Sequence, residues 1–234
     1  MDAFRPFTLT HGLVLAGIAA LTWLAISHGR AQHDDAAPTT FEKRLAVLNL
    51  LAWLAAHGWW QLPPRFDAAF TLPLQMCHLA SLVASFALLT RRRALRTVLY
   101  FWGFGLCTQA LLTPGISDPP SSIWFWAFWF LHGFVMMAAI YDLAVLRYHP
   151  AWRDFGVACA SSAAYFVIAL AVNIQIGSNY GFVGDSKPGT PSIVDLLGPW
   201  PQRLLLIVPL AAAVLALLMA PWVLLRRASR LSPP

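Results

Sequence analysis

Charged residues make up only 11% of this chain, less than half of the roughly 25% that a soluble globular domain carries. Set beside 59% hydrophobic residues and a mean hydropathy of +0.62, that shortage excludes a soluble domain and leaves a polytopic membrane protein. Cysteine is scarce as well. Cys77, Cys107 and Cys159 stand far apart, which makes neither a disulfide framework nor a CxxC zinc pattern, so any cysteine chemistry rests on one residue or one pair. There is no HxxxH and no His/carboxylate motif either, and no metal or cofactor is expected. A formal net charge of +6 would suit a nucleic-acid partner, but the basic residues sit in short clusters at the ends of apolar runs. A bilayer needs them there to fix orientation, so no nucleic-acid partner is expected.

A membrane span takes about 20 mostly apolar residues, and seven runs qualify: 7–28, 45–62, 72–90, 97–113, 123–146, 155–176 and 204–225. The first is long for a signal peptide, and its flank SHGRAQHDD has no clean small-residue cleavage site, so it counts as a span. The expected fold is all-α, a single integral membrane helical domain over 1–234. Lys and Arg orient it. Twelve of the sixteen fall on one side, around Arg30 to Arg44, Arg91 to Arg96, Arg147 to Arg153 and Arg226 to Arg230; Arg5, Arg65, Lys187 and Arg203 make up the other. The N-terminus is then outside and the C-terminus cytoplasmic, in what reads as a bacterial cytoplasmic membrane. Asp142, near the cytoplasmic end of the fifth run, is expected to pair with an Arg.

Into this apolar background LPLQMCHLASL sets Gln75, Cys77 and His78 within four residues. On the seven-span map they lie in the outer leaflet, together with His11, His57, Cys107, Thr108, Gln109, His132, Asn173 and Gln175. The seventh run is almost free of polar side chains and serves as support or faces lipid. Unpaired polar groups in hydrocarbon cost several kcal/mol each, so the layer is expected to face one shared cavity open to the outside. At about 1.5 Å rise per residue, Cys77 and His132 lie roughly 8 and 13 Å below the starts of their spans. That depth permits a thiolate and imidazole pair in which the histidine is the base. Plainer readings stand beside it: Cys77 as a small packing residue, a Cys77–Cys107 disulfide, and Gln75 with His78 as hydrogen-bonding helix glue. Cys159 reads as packing.

The outer connection GSNYGFVGDSKPGTPSIVDLLGPWPQR is long for a structureless link, and forms either a lid or an inert interface loop. Thr190 and Pro191 are expected to open a short helix through Asp195, with Trp200 as an interfacial anchor. Trp124, Trp126 and Trp129 are expected to form an aromatic belt.

The segments LPLQMCH, YFWGFGLCTQALLTP, FLHG, GSNYGFVGDSKP and SIVDLLGPWP, in this order and spacing, resemble the bacterial YwaF-like integral membrane proteins, which are related to the eukaryotic transmembrane protein 164 acyltransferase. The resemblance runs from about Leu72 to Leu205. It implies a cysteine acyltransferase that moves fatty acyl chains between phospholipids, with Cys77 and His132 matching the family's nucleophile and histidine. Gln75 and His78 stand where many bacterial members carry a His and an acid, and are secondary candidates. By location, Gln109, Asn173 and Asn179 are candidate oxyanion donors, and Tyr180 and Lys187 candidate contacts for a phosphate head group. The expected partners are a membrane phospholipid or lysophospholipid and the bilayer; nothing in the sequence specifies an oligomeric state. Three other classes stay open: a non-enzymatic lipid-binding or transport protein using the same cavity, a haem or metal site on His57, His78 and His132, and a structural membrane subunit.

Overall fold

The computed structural model describes residues 3–186 and 192–231. Among them every regular element is helical, with no strand. The chain divides into two compact units, Met1–Tyr148 and His149–Pro234.

The first unit holds α1 (Leu9–Ala31), α2 (Thr40–Gln61), α3 (Met76–Thr90), α4 (Arg93–Trp102), a π-helical segment (Gly103–Cys107), α5 (Thr108–Leu112) and α6 (Ile123–Ala144). Local sequence explains the starts. The Thr8 hydroxyl accepts from His11 N–H at the head of α1. Thr39 and Glu42 form a capping box on α2, each side chain bonded to the other's main chain, which satisfies two of the N–H groups a helix start leaves open. The Ser122 hydroxyl accepts from Trp124 N–H at α6.

Contacts fix the directions. Along the α2–α3 hairpin Glu42 meets Arg91, Asn49 meets Ser81 and Ser85, and Trp53 meets His78, which is an antiparallel register held from end to end. Trp60 packs on Trp124, and Tyr141 donates to Glu42, so α6 also runs antiparallel to α2. α1 lies along α6: Phe4 against Phe125 at one end, Gly133 against Ile18 midway and Gly29 against Tyr141 at the other. A Cβ at Gly29 would overlap the Tyr141 phenol, so glycine there lets the hydroxyl reach Glu42. Small residues close the centre, with Ala80, Ala84 and Ala87 of α3 and Ala138 and Ala139 of α6 all buried. In an apolar surrounding such residues let helix backbones approach and gain dispersion.

The second unit pairs α7 (Trp152–Ile176) with α8 (Leu204–Leu231) and carries two 3-10 turns, Tyr180–Phe182 and Ile193–Leu197, in the connection between them. Gly177 ends α7 at φ 61°, the left-handed cap for which glycine is suited. The short helix expected near Asp195 is present as the second 3-10 turn, but its cap is Ser192; Thr190 and Pro191 lie outside the described residues.

Helices thus occupy all seven apolar runs, and four of them are long and apolar enough to cross a membrane: α1, α6, α7 and Leu204–Arg226 of α8. The protein is an α-helical membrane protein. The other runs differ from expectation for physical reasons. The first turn of α2 carries Glu42, Lys43 and Arg44. α3 is only 15 residues long, since the chain from Leu72 to Gln75 is turn and not helix. The fourth run breaks at Gly103–Cys107, where the Thr108 hydroxyl donates to the carbonyls of Phe104 and Gly103 and Gly103 packs close to Ala139. Insertions of this kind are frequent at functional sites, and here the segment ends in the buried Cys107.

The aromatic belt also needs correction. Trp126 is 53% exposed, but Trp129 is buried in a core cluster with Phe4, Leu111 and Phe125, because it lies on the face of α6 that packs on the head of α1. Trp200 is half-buried and donates its indole N–H to the Val183 carbonyl.

Candidate functional site

At one end of the first unit the starts of α1, α3 and α6 gather beside the ends of α2 and α5, and the thiols and histidines gather with them. Cys77 is the second residue of α3, with Gln75 as the N-cap. Because α3 begins four residues later than its apolar run, Cys77 lies in the first turn rather than deep in the span. It stands at a helix terminus, whose open N–H groups and dipole attract negative charge. Gln75 makes no side-chain cap bond. All three cysteines are free thiols, so no Cys77–Cys107 disulfide is formed; Cys107 is nonetheless within electrostatic range of Cys77.

Four histidines share this end, His11 among them. The rings of His57 and His78 meet edge to face at 4.2 Å, and His78 is within electrostatic range of both His57 and His132. Hydrogen bonds settle two tautomers. His132 is buried, and its Nδ1 lies 2.8 Å from the Phe128 carbonyl one turn earlier in α6. A carbonyl only accepts, so Nδ1 carries the proton and Nε2 of the neutral ring keeps its lone pair. The His57 Nδ1, 2.9 Å from the Trp53 carbonyl, gives the same result. His78 differs: its Nδ1 is sealed from solvent and has no hydrogen-bond partner.

His11, expected in the same layer, has another job. Its Nδ1 accepts from Phe7 N–H at 3.0 Å and its Nε2 donates to the Leu111 carbonyl at 2.8 Å. With both nitrogens engaged it ties the head of α1 to the end of α5 and leaves no lone pair for chemistry. Gln109 is exposed on α5 rather than turned into the cluster.

Sequence reasoning missed Trp53. Its indole N–H donates to the His78 carbonyl at 3.1 Å, and its ring stacks on His57 at 4.2 Å, so one residue positions both histidines. The signal was present: Trp53 and His57 are spaced i and i+4, which puts them on one helix face.

A cavity lies between α2, α3 and α6, with the buried Asn49 and Ser81 in its lining and alanine and aromatic side chains around them. No cluster of three or more His, Cys, Asp or Glu suited to a metal occurs among the described residues.

The remaining candidates belong to the second unit. Asn173 is buried; it accepts from the Ser178 hydroxyl and Tyr180 N–H and donates to the Tyr180 carbonyl, clamping the exit from α7. Asn179 accepts from Gly184 N–H and Tyr180 is buried. Lys187 lies outside the described residues. Arg203 is 2% exposed, ion-pairs with Asp195 and donates to the Ser186 hydroxyl and the Gly184 carbonyl, binding the connection together. The Ser186 hydroxyl, first, then Ser192 N–H and the Arg203 charge hold the Asp195 carboxyl below the usual carboxylate range.

A model of the TMEM164 family matches residues 6–219. An uncharacterized protein of Treponema pallidum (strain Nichols) is 29% identical over 114 residues, which is 48% of this chain and 47% of the relative. The chain therefore matches about half the length of that curated relative. No solved structure matches.

Proposed function

The chain belongs to the TMEM164 family, and from that premise we propose that it is a membrane-embedded cysteine acyltransferase acting on phospholipid acyl chains. In this reading seven helices cross a bacterial cytoplasmic membrane with the N-terminus outside, and the thiol and histidine end of the first unit is the outer one. The observation that carries the reading is His132: a buried imidazole whose Nδ1–H is tied to Phe128, leaving Nε2 as a base at the end of the bundle where Cys77 opens α3.

The chemistry has two steps. Nε2 of His132 takes the Cys77 proton, the sulfur attacks an ester carbonyl, and the oxyanion forms beside the first N–H groups of α3. The C–O bond breaks, the proton returns to the departing lysophospholipid oxygen, and a thioester remains. A second lysophospholipid hydroxyl then gives its proton to Nε2 and attacks the thioester, which forms the new ester and restores the thiol. His57 and His78 flank the pair, and Trp53 holds both.

The test is transfer of a labelled fatty acyl chain from phosphatidylcholine to lysophosphatidylethanolamine by the protein in vesicles. Wild type moves the label and Cys77→Ala does not. Equal transfer by the two proteins overturns the reading. Lipid retention with no transfer by either favours a lipid-binding or transport protein, which the cavity between α2, α3 and α6 would serve equally well.

A further inference from the structure

The cavity between α2, α3 and α6 has no part in the bond chemistry above, yet its lining residues neighbour those of the site along the chain. Trp53, on its wall, is the residue that donates to the His78 carbonyl; Ser81, in its lining, follows Cys77 by one helical turn, about 6 Å; Leu131 directly precedes His132. We infer that this cavity holds the acyl chain of the membrane phospholipid whose carbonyl lies at Cys77. The inference rests on the acyltransferase reading for the carbonyl's position, and on the cavity itself for the chain.

Four features select an aliphatic chain. Ala52, Ala56 and Ala127 line a furrow whose other walls are apolar or aromatic. The polar part of the lining asks nothing of a ligand: Asn49 is buried, and its amide already donates to the Ser81 carbonyl and hydroxyl and to the Ser85 hydroxyl, at 2.7 to 3.0 Å. The volume, about 220 Å³, is below the roughly 300–1,000 Å³ of a site that encloses a whole small ligand, so it takes a length of one chain and not a head group. The rim is exposed, with Trp126 at 53% and Phe130 at 40%. On a membrane helix that surface meets lipid tails, so a chain enters from the bilayer without crossing water.

The experiment uses full-length protein in vesicles of phosphatidylcholine with a diazirine midway along its sn-2 chain. After irradiation, cross-links are mapped by mass spectrometry. We expect labels on peptides containing Trp53 and Ala127, retained in Cys77→Ala, and falling at least tenfold in Ala127→Phe, which fills the furrow, while lipid-facing labels on α8 stay constant. Ala52→Phe is the second variant should the first not fold. Groove labels unchanged by either filled variant would mean surrounding lipid only and overturn the inference, as would labelling by a free diazirine fatty acid but not by the phospholipid. The two proposals fail separately: groove labels without acyl transfer sink the acyltransferase reading alone, and transfer without groove labels sinks the groove alone.

Discussion

The two ends of the first unit bury polar groups by opposite rules. At the charged end every buried ion has its counterpart. Glu42, fully buried, accepts from Arg91 Nε and Nη2, from the Tyr141 hydroxyl and from Thr39 N–H. Asp142 meets Arg96 at 2.7 Å, as its place in the sequence led us to expect, and Arg96 also donates to the Leu146 carbonyl. At the other end the groups are thiols and imidazoles, the imidazoles tied mostly to main-chain carbonyls; His78 Nδ1 and Trp129 Nε1 have no partner there, as His33 Nδ1 has none near the charged end. Ion pairs hold helices together, while an imidazole with one unbonded nitrogen keeps a lone pair that can take a proton. The difference separates an end closed by ion pairs from the end where the proposed chemistry would lie.

Mutations can break that contrast. The largest effect is expected at His132. A positioned base contributes about 10²–10⁴-fold, so His132→Ala should lower acyl transfer by that factor and leave the thermal unfolding midpoint close to wild type. A large fall in the midpoint would make His132 a structural residue.

Glu42→Ala should do the reverse. Removing one partner of a buried ion pair costs about 3–5 kcal/mol, here by stranding Arg91 and the Tyr141 hydroxyl, and protein that still folds should transfer acyl groups normally. Thermal unfolding beside a transfer assay reads both.

His11→Ala sharpens the contrast between histidines at the same end. It strands a buried carbonyl and an N–H, which costs about 1–3 kcal/mol, without touching the transfer rate per folded molecule. A transfer defect beyond the loss of folded protein would return His11 to the active layer.

The smallest effect is expected outside both ends. Asp195 is held below the usual carboxylate range by Ser186, Ser192 and Arg203, so its contribution is complete above that range and is lost as pH falls through the depressed value. The protection factor of the Ser192 amide, which donates to Asp195, should fall on acidification in wild type and be already low, and flat with pH, in Asp195→Asn.

How much could be read in advance follows the same division. Apolar length and the clustering of Arg located the seven helical runs and the Arg96–Asp142 pair, because burial of apolar surface and of charge acts through composition. Cys77 and His132 were legible through their rarity in apolar runs and through the resemblance. The start of α3 was not: Leu72 to Leu74 is as apolar as the helix after it, and only tertiary contacts decide where the first turn forms. Glu42 was passed over because it precedes the apolar run, although Thr39–x–x–Glu42 is a capping-box pattern. Trp129 reads like its neighbours Trp124 and Trp126, and only the packing of α1 against α6 buries it. Nor could the sequence tell His11 from His132, since that difference lies in the ring hydrogen bonds: both nitrogens of His11 are engaged, while His132 Nδ1 is tied to the Phe128 carbonyl.

Mass spectrometry of the Cys77 peptide tests the central claim most directly, on protein purified in native lipid, with and without hydroxylamine, and chased with lysophospholipid. The account predicts a fatty acyl mass on Cys77 that hydroxylamine removes and that the chase transfers to the lysophospholipid. A free Cys77 thiol under conditions where the protein is turning over acyl groups would contradict it.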